Sequence, residues 1–573
     1  VGLITARAGV VVGSGITLSK DGDIFATGVT TSTTFVGTLD GAIKSDSANN
    51  VKAGTTALDS LTTGSSNVAV GQNALTTNTT GAENVAVGNN AMQLNTTGAS
   101  NVAVGRDALV NNTTASNNVA IGALALNDNT TGTSNNAVGK QALAVNTTAT
   151  GNNAFGMQSL LSNTTGAQNT AIGHNALQQN TTANYNTACG NQALEQNTTG
   201  TTNVAVGAFA LQQNTTGGSN TSIGYSALDA NTTSSNNTAV GRSALGANTT
   251  GAQQTAVGMN ALADNTTGGN NTAVGYQAMT DNTTGGLNAA LGREALFKNT
   301  TGSQNTGCGT YTLYENLTGS ENTAVGYVAL EKNTASYNTA VGSRALDLNT
   351  TGASNVALGY QSLTSNTTAS NNTALGYGAM AANSTGADNT AVGSGALDAI
   401  TTGSRCTAVG KSALGANTGN ENTAVGNRAL EDNTSGTGNV AVGHDALKDN
   451  TTALENTAIG ADCLRTNTTG AENVAVGAYA LYSSNADANT ALGKSALYAN
   501  TTGTYNTAVG RNALASNTTG VNNVAIGGLS LDTSTTASYN TAVGVWTMSD
   551  TTTGANNTAL GYNVMRAHTT GGD

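Results

Sequence analysis

The chain contains no proline in 573 residues. It therefore lacks the residue that most often punctuates loops and stops strands in ordinary domains. Aromatic residues make up 4% and charged residues 9%, too few rings for the core of a typical enzyme and too little charge for a solvated disordered tail. Nineteen basic residues face 31 acidic ones, and the resulting charge of −12 is spread thinly. With no basic stripe, no nucleic-acid partner is expected. No apolar run is long enough to span a bilayer, so no membrane partner is expected either. The histidines His174, His444 and His568 are far apart, with no acidic pair recurring in register beside them, so no catalytic or metal constellation is read. Neither a Met nor a signal peptide opens the chain at Val1, and a piece of a longer protein is expected.

Gly, Ala, Asn and Thr dominate what remains, because they belong to one unit. Asn-x-Ala-Val-Gly-x-x-Ala-Leu-x-x-Asn-Thr-Thr-Gly-x-x begins at Asn67 and recurs to Asp573. Its fifth position is always Gly, its ninth always Leu or Met, its fourth always apolar and its third nearly always Ala. The first is Asn except at Gln254 and Cys406. The spacing of 17 slips to 16 between Asn322 and Asn338, between Cys406 and Asn422, and between Asn473 and Asn489. Residues 50–66 are a worn copy of the unit, expected as an entrance coil, and 1–49 read as a small β-rich leader with turn signals at Asp21-Gly22 and Asp40-Gly41.

Seventeen residues cannot hold two packed helices and their turns, whereas two short Gly-bounded segments suit one β-coil per unit. The expected fold is all-β: a parallel β-roll or β-solenoid of about thirty coils, with strands at positions one to four and seven to eleven. Stacking at about 4.8 Å per coil makes a rod of roughly 140 to 150 Å. Asn67, Asn84, Asn101 and Asn118 are expected to form an amide ladder. Gly71, Gly88, Gly105 and Gly122 are expected at a turn that excludes a Cβ. Leu75 and Leu109, together with the fourth-position residues, are expected inside. Since neighbours on a strand point to opposite faces, third-position Ala is then expected outside, as a smooth face for a parallel homotrimer; a monomeric solenoid is the alternative. Cys189 and Cys308 stand at the fourth position, Cys406 in the ladder and Cys463 at the eighth position, all read as small core residues, although equivalent thiols can approach across a trimer axis.

The strings Asn-Val-Ala-Val-Gly and Asn-Thr-Ala-Ile-Gly resemble the strand signature of trimeric autotransporter adhesin heads, whose unit is shorter by about three residues. The longer form with Asn-Thr-Thr-Gly is similar to repeats in tail fibres and other virion appendages of marine bacteriophages. The leader from Gly15 to Thr31, Gly-Ile-Thr-Leu-Ser-Lys-Asp-Gly-Asp-Ile-Phe-Ala-Thr-Gly-Val-Thr-Thr, resembles segments of cyanophage structural proteins. These resemblances imply a non-enzymatic homotrimeric shaft on a virion that extends a host-binding tip and meets other virion proteins at its ends. The alternative they imply is a bacterial surface adhesin whose roll touches matrix or cells.

No catalytic, cofactor or metal residues are assigned; the Gly-Gly-x-Gly-x-Asp run of calcium-binding rolls is missing. A depolymerase needs acidic residues at identical columns of successive coils, and none is read. Tyr225, Tyr276, Tyr327, Tyr360 and Tyr377 at the sixth position, with Trp546 at the seventh, are candidate contacts for host-surface glycans, or else surface rings covering neighbouring coils. Asn78, Asn95, Asn282 and Asn500 lie in Asn-x-Thr sequons and are candidate glycosylation acceptors, although Asn and Thr also favour turns in their own right. The Thr ranks suggest ice binding as a minor alternative, which Thr79 and Thr80, pointing to different sides, do not favour.

Overall fold

The computed structural model describes residues 16–18, 24–26, 44–567 and 569–571; expectations for His568 and most of the leader lie outside them. β1 (Ile16–Leu18) and β2 (Ile24–Ala26) pair antiparallel. β3 (Lys44–Ser45) pairs antiparallel with β4 (Val51–Ala53). From β4 onward every coil adds one strand to a parallel ladder, through β5 (Val68–Val70), β6 (Val85–Val87) and β7 (Val102–Val104), to β34 (Thr558–Leu560). Register is strict: Ala69 faces Ala86, which faces Ala103. No helix occurs among the described residues. The fold is an all-β parallel solenoid, and 31 stacked strands from β4 to β34 give a ladder of about 145 Å at the usual strand spacing.

Only positions two to four form a strand. The second strand expected at positions seven to eleven is instead a run of turns, because residues seven and nine of nearly every coil adopt left-handed backbone, as at Asn73 (φ 58°) and Leu75 (φ 51°). The residue closing the coil does the same, as at Glu83 (φ 59°). Coil-to-coil hydrogen bonding continues through these turns: Leu75 N–H donates to Ala91 O at 3.1 Å and Thr79 N–H to Thr96 O at 2.9 Å. The left-handed ninth position explains its restriction to Leu and Met, since a branched Cβ is worst placed at positive φ.

The inside and outside of the strand are the reverse of the sequence expectation. Ala69 is fully buried while Val68 and Val70 are only partly covered. The interior is therefore built from Ala at positions three and eight and Leu at nine, as in Ala69, Ala74 and Leu75. It is too narrow for a Val-class residue at position three. Coil 305–321 shows how tight it is: Gly307 replaces Ala, and a Cβ there would stand 2.9 Å from Oγ1 of Thr312, which replaces the eighth-position Ala.

Two buried amide ladders flank this core. Asn84 N–H donates to Asn67 Oδ1 at 3.0 Å and Asn84 Nδ2 to Gly98 O at 2.9 Å. Asn101 and Asn118 repeat the pattern. The twelfth-position Asn forms the second ladder, with Asn95 Nδ2 donating to Asn78 Oδ1 at 2.8 Å and to the same Gly98 O at 3.0 Å. One carbonyl per coil thus holds both ladders, which satisfies amides that would otherwise be costly to bury. Gly71, Gly88, Gly105 and Gly122 have φ of 134–139°, and a Cβ on Gly71 would lie 2.7 Å from the Gly88 carbonyl carbon.

Candidate functional site

Because Ala faces inward, positions two and four form the outer face of the ladder. The fourth position is apolar in every coil yet never buried: it is half-buried in coils such as that of Val70 and exposed in others, Ile121 by 40%, Phe155 by 41%, Ile172 by 44% and Leu492 by 48%. The second position is Val or Thr in most coils, and the two columns run side by side along the stack. Cys308 is exposed on this face and Cys189 half-buried, which corrects their reading as core residues. Cys406 and Cys463 are buried, and burial pushes the Cys463 thiol up to about 12.

The sequons occupy the opposite kind of environment. Asn78, Asn95, Asn282 and Asn500 are fully buried. Asn282 Nδ2 donates to Asn265 Oδ1 at 2.7 Å and to Gly285 O at 3.0 Å, and Asn500 Nδ2 to Gly503 O at 2.9 Å. The folded coil offers no accessible acceptor nitrogen, so the glycosylation reading is corrected: these amides are ladder groups. The adjacent Thr hydroxyls are also engaged, as where Thr79 Oγ1 donates to Thr96 O at 3.0 Å.

The turn run at positions six to eleven carries most of the aromatic residues of the coils. Tyr225, Tyr276, Tyr327, Tyr360 and Tyr377 are exposed and Trp546 is half-buried. Register brings several together. Phe209 packs edge-on to Tyr225 at 5.7 Å, Tyr360 stacks on Tyr377 at 5.6 Å, and Trp546 meets Tyr562 at 5.8 Å. The seventh and tenth columns carry rings too: Tyr311 meets Tyr314 and the sixth-position Tyr327, and Tyr479, Tyr482 and Tyr498 pack against one another. Sequence reasoning missed them because it followed the sixth column and, at the seventh, Trp546 alone; their recurrence at positions seven and ten was the available signal.

One acidic register was also missed. Asp445 and Asp462 occupy the seventh column of successive coils and, with His444, bring ligand atoms within 4.8 Å of one another. Arginines already pair with them: Arg428 Nη2 lies 2.8 Å from Asp445 Oδ2, and Arg465 Nη1 2.7 Å from Asp462 Oδ1. A cation would have to displace two guanidinium groups, so the arrangement is an ion-pair network. His174 is exposed and faces Asn191 across one coil.

Comparison with known proteins decides nothing further. No family model, curated protein or solved structure matches the chain.

Proposed function

We propose that the chain is the shaft of a phage tail fibre or related virion appendage, assembled as a parallel homotrimer and holding a host-binding tip away from the particle. The observation that carries this reading is the unbroken apolar column at position four. An exposed strip of this length is unusual on an isolated soluble chain and marks an association surface. In just over half of the coils the fourth-position residue is exposed, mostly by 36–48%, and in the rest it is half-buried. Covering it gains roughly 0.6–1.2 kcal/mol per exposed coil, given about 1.5–3 kcal/mol for a full Val, Leu or Ile side chain. Over the stack this gross gain is on the order of 10–20 kcal/mol, against the roughly 4–15 kcal/mol cost of association. The trimer surface is therefore the Val and Thr face, replacing the Ala face expected from sequence. A stiff rod with coil-to-coil hydrogen bonding suits a mechanical role in which length is the product. The resemblance of the repeat and leader to virion proteins is what favours a virion for that role.

The outward cysteines provide the test. A parallel in-register assembly brings Cys308 beside its own copies, and Cys189 likewise. A short bifunctional maleimide is expected to link chains through Cys308 and Cys189, with linking abolished in the Cys189→Ser, Cys308→Ser double variant and unaffected by Cys463→Ser. Single-chain labelling at Cys308 without any linked product would overturn the assembly.

A further inference from the structure

The surface of the stack carries an open groove of about 520 Å³ whose lining includes Tyr311, Tyr314, Tyr327, Glu331, Arg344 and Asp347. It falls where the repeat is least regular. Coil 305–321 has Gly at position three, Cys at four, Thr at eight and Leu at thirteen, and the coil after it is one residue short. Val328 at the groove is the only Val or Ile with left-handed backbone (φ 50°) among the described residues, and strain of this kind tends to gather at functional positions.

The rings are ordered. Tyr314 stacks on Phe297 of the coil before it at 5.2 Å, with planes 6° apart. The same column continues in the next coil with Glu331, so the pile of rings ends at Tyr314 beside the groove. Tyr311 stands edge-on to Tyr314 at 5.6 Å and to Tyr327 at 6.5 Å. Two cations already attend these rings, Arg293 at 5.5 Å from the Tyr311 centroid and Lys298 at 5.4 Å from that of Tyr314. Both are paired, Arg293 with Glu294 at the groove and Lys298 with Glu315, and they already take the cation positions over Tyr311 and Tyr314. An anion would meet Glu331 and Asp347. Burial raises the Glu331 carboxyl above its usual range, and Asp347 accepts from Thr364 Oγ1 at 2.7 Å.

The geometry points to a saccharide-binding site midway along the shaft, taking a neutral pyranose whose C–H face continues the Phe297–Tyr314 stack. A neutral ring needs neither a vacant cation position over the rings nor a partner for a negative charge. Its apolar face lies against an aromatic plane, while its hydroxyls can donate to Glu331 and Asp347 and accept from Arg344. The site belongs to one chain and does not depend on how many shafts associate.

The test is saturation-transfer NMR on the full chain with methyl glucoside, methyl galactoside, methyl mannoside and N-acetylglucosamine, plus tetramethylammonium as a cationic probe. Transfer to the ring protons of at least one sugar is expected. Tyr314→Ala and Glu331→Gln should each weaken it by about tenfold, a loss equivalent to about 1.4 kcal/mol. Tyr314→Phe should retain it, since the ring and not the hydroxyl makes the stack. Tyr498→Ala, at a ring stack elsewhere on the shaft, should leave it unchanged, and this guards against a general folding defect. Transfer to none of the sugars, transfer to tetramethylammonium alone, or sugar transfer indifferent to both groove variants would overturn the assignment.

Discussion

Replacing Gly493 by Ala should open the shaft locally, whereas the same change at Gly503, ten residues on in the same coil, should not. Gly493 has φ 139°, and a Cβ there would stand 2.5 Å from the carbonyl oxygen and 2.6 Å from the carbonyl carbon of Gly510 in the next coil. The strained backbone costs about 1–3 kcal/mol, and forcing the coils apart adds a further 1–3 kcal/mol or so, about 4 kcal/mol together. At Gly503 the hypothetical Cβ is no less crowded, lying 2.6 Å from Asn500 Oδ1 and against Gly520 O. Its φ, however, is outside the left-handed range. Ala115, Ala183 and Ala369 already occupy the equivalent position while remaining buried, so the neighbour yields there and the expected cost is below about 1 kcal/mol. Because each coil touches only its neighbours, the readout is hydrogen exchange resolved along the chain. Amides of residues 489–522 should lose protection in Gly493→Ala and keep it in Gly503→Ala. Equal losses in the two variants would refute the argument that backbone conformation, and not space alone, fixes the fifth column.

Other outcomes follow from the same geometry. Leu245 is fully buried with φ 52°, so the branched Leu245→Ile should cost about 2 kcal/mol while Leu245→Met costs under about 1 kcal/mol, compared by local exchange. Cys406 and Ile400 interrupt the two amide ladders in adjacent coils: Cys406 has no side-chain carbonyl for Asn422, and its Sγ faces Gly419 O at 3.3 Å. Cys406→Asn should therefore restore the first ladder and stabilise those coils by about 1 kcal/mol; lower protection of residues 406–438 would count against it. Burial raises the carboxyls of Asp229, Asp398 and Asp532, as it does Glu331. The folded shaft thus binds these protons more tightly than the unfolded chain does. Stability should be greatest below their ordinary titration range and fall as pH rises through their raised one. A melting temperature higher at about pH 4.5 than at about pH 7.5 is expected, with the difference reduced in a combined Asp229→Asn, Asp398→Asn, Asp532→Asn variant.

The solenoid, its period and its parallel register were legible because a 17-residue unit leaves few alternatives and stacks like on like. The fixed Gly column spoke for itself, since only a Cβ-free residue fits there. What misled was the strand's polarity. Position four is apolar and position three small, which reads as core and surface when a core is assumed to need bulk; this interior is so narrow that Ala fills it, and Val is left outside. The αL backbone at Leu75 and its counterparts hid a turn inside what looked like a second strand. Asn95 and its counterparts carry a surface signature yet are interior, because the side-chain amide donates both one coil away and three residues on. The groove at Tyr314 was invisible to column-by-column reading, since it joins residues of the sixth, seventh and tenth positions across four coils. The departures of Gly307 and Thr312 from the unit mark its place once the stack is known.

The central claim, that this shaft works as an assembled rod joined along its Val and Thr face, is tested most directly by light scattering of the full chain, paired with Val325→Asp on the exposed fourth column and with particle length from negative-stain images. Three chains in a rod of about 145 Å, reduced to one chain of the same length by Val325→Asp together with Val257→Asp, is the result the account predicts. A single-chain rod from the unaltered protein would contradict it.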